Sequence, residues 1–331
     1  MDFPDITITA LVGQAIGDAY GAPFEYHQDA PAYAAQSFKV KRYLDVGDDI
    51  DGGRWHPGRE PGVYTDDTQQ ALALLRAWEL ADDPLDGGEI AHRFSSIMRQ
   101  MVSVQGSRYR FGVHRGTGKN FRQAVRSRAP VPTAGLGAAM RIGPVATLLP
   151  HADLVAPWVV RVSSATTSDP VAQACAVIFA YCCWQAAHPG EPMPSLAAQV
   201  DGIPSNLWEV CVEAHVRMQA LGEEGLLEFA QDTELSNKTF DCAANGWALT
   251  GMPWVIYHAM QADTFEDAMV GVCSSGGDTD TVAAMVGCVA AMRLGRRAIP
   301  LWMLEQLQGR EHLFDPSTWH PIESEQRLMD E

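Results

Sequence analysis

GGDTDTVAAMVGCVAAMRLG, residues 276–295, decides the fold of this chain. Two glycines lead into Asp278, Thr279, Asp280 and Thr281; a run of small and apolar residues then carries a helical pattern from about 281 to 294, and Gly295 stops it. Its apolar part falls short of the roughly 18 residues that a membrane span needs, as does ACAVIFAYCCW at 174–184. Both read as helices buried in a protein core.

Outward from that stretch the same period recurs. Residues 6–20 place Leu11, Ala15, Ile16 and Ala19 on one face, and residues 67–80 place Ala71, Leu74, Leu75 and Trp78 on another. Further helical patterns cover 170–187, 205–221, 253–262, 265–273 and 300–308, with Pro189-Gly190 as a clear stop. Alternating strand patterns are almost absent. The sequence therefore predicts an all-α protein. With 331 residues, 47% of them hydrophobic, and no linker-like composition, it predicts one compact domain over 1–331. The Gly- and Asp-rich stretch at about 28–63 shows no helical period and is expected to be a long irregular loop, a length that usually serves function.

Composition narrows the function classes. A net charge of −17 disfavours a general polyanion-binding surface, so nucleic acid is not an expected partner; only 106–128 runs against that sign. The start, MDFPDITITA, has no basic segment followed by an apolar one, so no secretory signal is expected. Seven cysteines, an odd number without a C-x-x-C pair, argue against a disulfide framework and a zinc site, and a cytoplasmic location without a membrane is the expectation.

A second Thr/Asp cluster, YTDDTQQALALL at 64–75, also stands at the threshold of an apolar helix. Capping is one reading of each: Asp66 with Gln69 resembles a capping box, and Asp278 stands where it could cap the helix after it. A cap needs one acceptor, however, and each cluster has two carboxylates and hydroxyls that repel at close range unless a cation lies between them. Facing one another, the clusters would offer four carboxylates and several hydroxyl oxygens. Hard oxygen donors without His or Cys suit Mg²⁺, Mn²⁺ or Ca²⁺, and a pair of ions is the inference.

GQAIGDAYGAPFEY near the start, YTDDTQQALALL, GLGAAMRIGP and GGDTDTVAAMVGCVAA together resemble the ADP-ribosylglycohydrolases in order and approximate spacing, from about Leu11 to Leu307. The resemblance implies an all-α fold of orthogonal helices and an enzyme that removes ADP-ribose from modified acceptors, protein arginine first among them. It implies two divalent cations, Mg²⁺ or Mn²⁺, held by Thr65, Asp66, Asp67, Asp278, Asp280 and Thr281. Glu25 matches a glutamate beside the metals and, with Asp67, is the catalytic candidate; taken alone it reads as a solvated loop carboxylate. A loop at TAGLGAAMR would embrace the ADP-ribose, making Thr133, Gly135, Gly137 and Met140 substrate-binding candidates, where taken alone the glycines mark a tight helix start. Ser274 and Ser275 would add donors for the diphosphate, and Gly276 and Gly277 would let the backbone approach it.

The chain departs from the family pattern at three places. Leu136 stands for an Asn, Thr167 for a His, and Gly116 for an Asp carried by some arginine-specific members. The last departure favours an alternative, an O-linked serine or small-molecule ADP-ribose substrate. Drift at such positions also leaves a catalytically silent ADP-ribose-binding or partner-binding protein as a further alternative. The acid-rich stretch at Asp45, Asp48, Asp49 and Asp51 would steer a guanidinium acceptor. An EF-hand over Asp49–Glu60 is rejected, because Gly53 offers no side-chain ligand and Arg54 takes the turn-glycine place. Trp55 and His56 are read as part of a lid, and His114 as a surface histidine.

Overall fold

A computed structural model of the chain describes residues 2–27, 29–44, 61–104, 113–191 and 245–330. Fourteen α-helices occupy the described residues, and β pairing among them is limited to two isolated bridges, Val131 with Thr167 and Gly135 with Trp247. The helices are α1 Asp5–Gly21, α2 Ala30–Val40, α3 Asp66–Leu80, α4 Gly87–Ser103, α5 Lys119–Ser127, α6 Gly143–Ala146, α7 Ala152–Ser163 and α8 Pro170–Ala187. They continue as α9 Ala248–Gln261, α10 Phe265–Val272, α11 Thr279–Leu294, α12 Leu301–Gln306, α13 Glu311–Phe314 and α14 Glu323–Asp330.

The stretch that opens the sequence reading forms α11, the centre of the molecule. It pairs most extensively with α1 and also meets α8, α9 and α10, while α3 packs on α1 and α4 on α3. Small residues make the central pair possible. A Cβ added at Gly13 would land on the Gly287 carbonyl, one at Gly17 on that of Ala283, and one at Gly21 on that of Thr279. From Gly13 on, every fourth residue of α1 is thus a glycine that lets two backbones touch. Because the partner numbers fall as the α1 numbers rise, the helices run antiparallel. The end of α1 therefore lies beside the start of α11. One hydrophobic cluster runs from Ile8 to Leu328.

The caps follow ordinary chemistry. Asp86 accepts from the Gly88 amide at 2.8 Å to start α4, Asp169 accepts from Val171 and Ala172 to start α8, and Thr264 caps α10. Gly190 and Gly295, at φ 95° and 83°, end α8 and α11 where the sequence places the stops.

Several expectations need correction. The stretch at 28–63 is not irregular throughout, since α2 occupies Ala30–Val40 with Pro31 in its first turn, where a missing N–H costs nothing. Its buried face is Ala30, Ala34, Ser37 and Phe38, a stripe too small and polar to stand out. Residues 45–60, with Asp45, Asp48, Asp49, Asp51, Trp55 and His56, lie outside the described residues, as does the helix expected at 205–221. The helix expected from 253 begins five residues earlier, with Pro253 inside it. Asn245 starts it, accepting from the Trp247 amide at 3.0 Å and the Thr250 hydroxyl at 2.7 Å. Besides α2, the periodicity reading leaves out α4, α5, α6, α7, α13 and α14. Helix α8 reaches 18 residues and is apolar enough to cross a membrane by length and composition, and 56% of it is buried inside the molecule.

Candidate active site

Three helix ends meet at one cavity of about 340 Å³: the turn after α1 and the starts of α3 and α11. The volume lies in the range of small-molecule sites. Glu25 comes from the first, Asp66 and Asp67 from the second, Asp278, Asp280 and Thr281 from the third, and all six line the cavity. The sequence places the two acid clusters more than 200 residues apart; the α1–α11 pairing and the seating of α3 on α1 bring them together.

Neither cluster is a cap. Thr65 at the N-cap of α3 and Asp278 at the N-cap of α11 make no side-chain capping hydrogen bond, in the same molecule where Asp86, Asp169 and Thr264 do. Gln69 does not reach back to the helix start; its amide donates to the Val113 carbonyl and to Glu325. The capping-box reading fails on that geometry.

Two left-handed turns lay Glu25 against the second cluster. Tyr26 has φ 56°, Gly276 and Gly277 have φ 67° and 92°, and the Tyr26 amide donates to the Gly277 carbonyl at 2.7 Å. Oxygens of Glu25, Asp278 and Asp280 all lie within 4.8 Å of one another. Such crowding fits a hard cation. Asp67 supports the same fit, because it is 1% exposed and its Oδ1 is buried with no hydrogen-bond partner. Burial pushes its carboxyl well above the usual range, and the charges of Asp18, Asp280, Asp66 and Asp278 push it further. A divalent ion would relieve both. The all-oxygen donor set suits Mg²⁺ or Mn²⁺.

Asp18, which the sequence reading does not single out, anchors the first cluster. From the last turn of α1 it accepts from the Thr65 amide and hydroxyl at 2.8 and 2.7 Å, and from the Thr68 amide and hydroxyl at 3.0 and 2.6 Å. The first turn of α3 is therefore satisfied by another helix. Burial pushes the Asp18 carboxyl up to about 6, with the Thr68 and Thr65 hydrogen bonds opposing and the Asp280 charge adding. Thr65, expected as a ligand, spends its hydroxyl on Asp18 and is not among the residues lining the cavity. The signal that finds Asp18 is the one charge in the buried part of α1, Thr7 onward, since Asp5 at the helix start is exposed.

Of the expected substrate residues, Thr133, Gly135, Gly137 and Met140 line the cavity, whereas Ser274, Ser275, Gly276 and Gly277 are not among its lining residues. All three departures from the family pattern, Gly116, Leu136 and Thr167, do line it. A Cβ added at Gly116 would fall on Asp66 Oδ1, and one at Gly246 on Asp278 Oδ2, so a glycine backs one carboxylate of each cluster. Thr167 is held by its hydroxyl, which donates to the Thr133 carbonyl at 2.8 Å. Arg141, 1% exposed, is a further lining residue that the sequence reading leaves without a role. Its guanidinium donates to Gln70 Oε1 at 2.8 Å, to the Gly137 carbonyl and to Thr166, and Gln70 in turn donates to Asp66 Oδ2 at 2.7 Å. Burial lowers its pKa to about 9, against the pull of Asp66, so it remains cationic at neutral pH.

His114 is corrected. It is fully buried, its ring stacks on Phe121 at 5.4 Å, and Nδ1 meets the Thr117 hydroxyl. Burial, with Arg115 and Arg122 nearby, lowers its pKa to about 3, so it is neutral.

The sequence model of the ADP-ribosylglycohydrolase family matches residues 3–326. The chain is 27% identical over 305 residues to the ADP-ribosyl-[dinitrogen reductase] glycohydrolase of Rhodospirillum rubrum, covering 92% of this chain and 90% of that protein. It is 26% identical over 310 residues to the uncharacterized protein YegU of Escherichia coli (strain K12), covering 88% of each. A solved structure described as an ADP-ribosylglycohydrolase-related protein complex superposes with a TM-score of 0.60 at 23% identity and 98% coverage of both chains, a likeness in fold.

Proposed function

The chain belongs to the ADP-ribosylglycohydrolase family, and on that premise we propose that it is a divalent-cation-dependent hydrolase that releases ADP-ribose from mono-ADP-ribosylated protein arginine. The observation that carries the proposal is the convergence of Glu25, Asp66, Asp67, Asp278 and Asp280 on one cavity, with Asp67 Oδ1 buried and unpartnered.

Asp66, Asp67, Asp278, Asp280 and Thr281 would hold two cations, Mg²⁺ or Mn²⁺, with Thr65 at the edge of that set. Bound there, such ions supply charge that orients ribose hydroxyls and makes a water easier to deprotonate. The rest falls to the chain itself. Cleavage at the anomeric carbon develops positive charge on the ribose, which fixed carboxylates favour. Glu25, half-buried beside Asp278 and Asp280, would take a proton from the attacking water at a carboxylate oxygen. Thr133, Gly135, Gly137 and Met140 form a wall for the rest of the ligand, and the Arg141 guanidinium sets a fixed positive charge behind it.

Gly116 favours one second reading. It lines the cavity beside Asp66 with no side chain, so no carboxylate stands there to receive a guanidinium, and an O-linked serine or small-molecule ADP-ribose conjugate would then be the substrate. Release of free ADP-ribose from arginine-, serine- and small-molecule-linked substrates with Mg²⁺ or Mn²⁺ tests both. Fastest release from arginine supports the proposal, and fastest release from serine supports the second reading. Tight ADP-ribose binding with no release from any of them would mean a silent binding protein.

A further inference from the structure

Glu325 lies close to the end of the chain, in α14, and its side chain is wholly buried. Four donors converge on it. Oε1 accepts from the Trp319 indole at 2.7 Å and the Tyr64 hydroxyl at 3.1 Å, and Oε2 accepts from Gln69 at 2.6 Å and from the Arg115 guanidinium at 2.7 Å. Arg115 is equally buried and also donates from Nε to the Tyr64 carbonyl at 2.9 Å, while its amide donates to Gln69 Oε1 at 3.0 Å.

Tyr64 immediately precedes the first acid cluster and Gln69 closely follows it, so this network grips Thr65–Thr68 at both ends. Arg115 carries the grip onward, because the next residue, Gly116, packs against Asp66 Oδ1. Removing Glu325 would leave a buried guanidinium uncompensated beside that turn. A buried ion pair is weak evidence for a stabilising role, and this one sits against the turn that carries Asp66 and Asp67.

We propose that Glu325, acting through Arg115, Gln69 and Tyr64, is a positioning residue that holds Asp66 and Asp67 in register with Asp278 and Asp280, so that the C-terminal helix is part of the cation site. This rests on the cation reading given under Proposed function. Groups that touch a metal's ligands typically change affinity by about 10–100-fold, and Glu325 acts one residue further out, so the lower end of that range is the expectation.

The test is Mn²⁺ affinity, measured by electron paramagnetic resonance of the free ion, in the wild-type chain, in Glu325→Gln and in Arg115→Met/Glu325→Leu. The double variant removes both charges together, so that no buried ion is stranded. Circular dichroism identifies the variants that fold. A folded variant that binds Mn²⁺ about 10-fold or more weakly is the expected result. A folded variant with unchanged affinity overturns the inference, since a purely structural role would lower stability alone. Wild-type protein that binds no Mn²⁺ overturns the cation reading and this inference with it. If neither variant folds, amide hydrogen exchange of the wild-type chain decides. Reciprocal coupling requires Mn²⁺ to raise protection at 323–328 together with 64–69, and no change at 323–328 overturns the inference.

Discussion

At Asp67 a carboxylate is buried beside Asp18, Asp66, Asp278 and Asp280, and one of its oxygens has no partner. Asp67→Asn removes a ligand and one of the crowded charges together. Without divalent ions the variant is expected to be more stable than wild type, by about 1 kcal/mol or more, because like-charge repulsion falls. With Mn²⁺ the order reverses, since only wild type gains from binding. Thermal melts with EDTA and with Mn²⁺ check this; an equal Mn²⁺ shift in both proteins would remove Asp67 from the ligand set. Glu25 separates chemistry from binding. Glu25→Gln is expected to lower kcat by ~10²-fold or more while ADP-ribose still binds, the pattern of a lost proton acceptor. Calorimetric titration beside steady-state kinetics checks it, and parallel losses in both would make Glu25 a positioning group. The acid clusters are legible because each holds one carboxylate more than a cap can use. Asp18 and Glu325 are harder to read, since each acts on residues tens to hundreds of positions away, and the lone charge in the buried part of α1 is all that marks Asp18 locally.

Among the elements, the α1–α11 pair carries the geometry of the site, and glycine spacing carries the pair. A methyl group at Gly17 has only the Ala283 backbone to displace, whereas one at Gly137 meets nothing within 4 Å. Gly17→Ala is expected to cost roughly 1–3 kcal/mol, as overpacking does. Gly137→Ala should stay within about 0.5 kcal/mol. Urea unfolding of the two variants gives the comparison, and equal midpoints would mean that the helices do not depend on backbone contact. Helices with unbroken apolar character, such as α8 and α11, show plainly in the sequence. So does the glycine repeat 13, 17, 21 once its partner is known. Helix α4 has a regular stripe of Ile90, Phe94, Ile97, Met98 and Met101 that the periodicity reading passes over. Helix α5 buries only Ala124 and Val125, and α7 contains Pro157, so both present weak patterns for physical reasons.

In the whole molecule, two helix N-termini point their positive dipole ends toward one carboxylate cluster, and a third helix delivers Glu25 from its C-terminal side. Dipoles of that size offset only part of the repulsion among five acids, and bound cations would offset the rest. The molecule as a whole carries a net charge of −17, a field that favours approach of a guanidinium-bearing acceptor and weakens as salt is added. Cation dependence is measured by following free ADP-ribose released from an arginine-modified protein, first with Mg²⁺ or Mn²⁺, then after EDTA, then after the cation is restored. Release that stops on chelation and returns with the cation is the expected result; full turnover by the EDTA-treated protein would mean that no cation takes part.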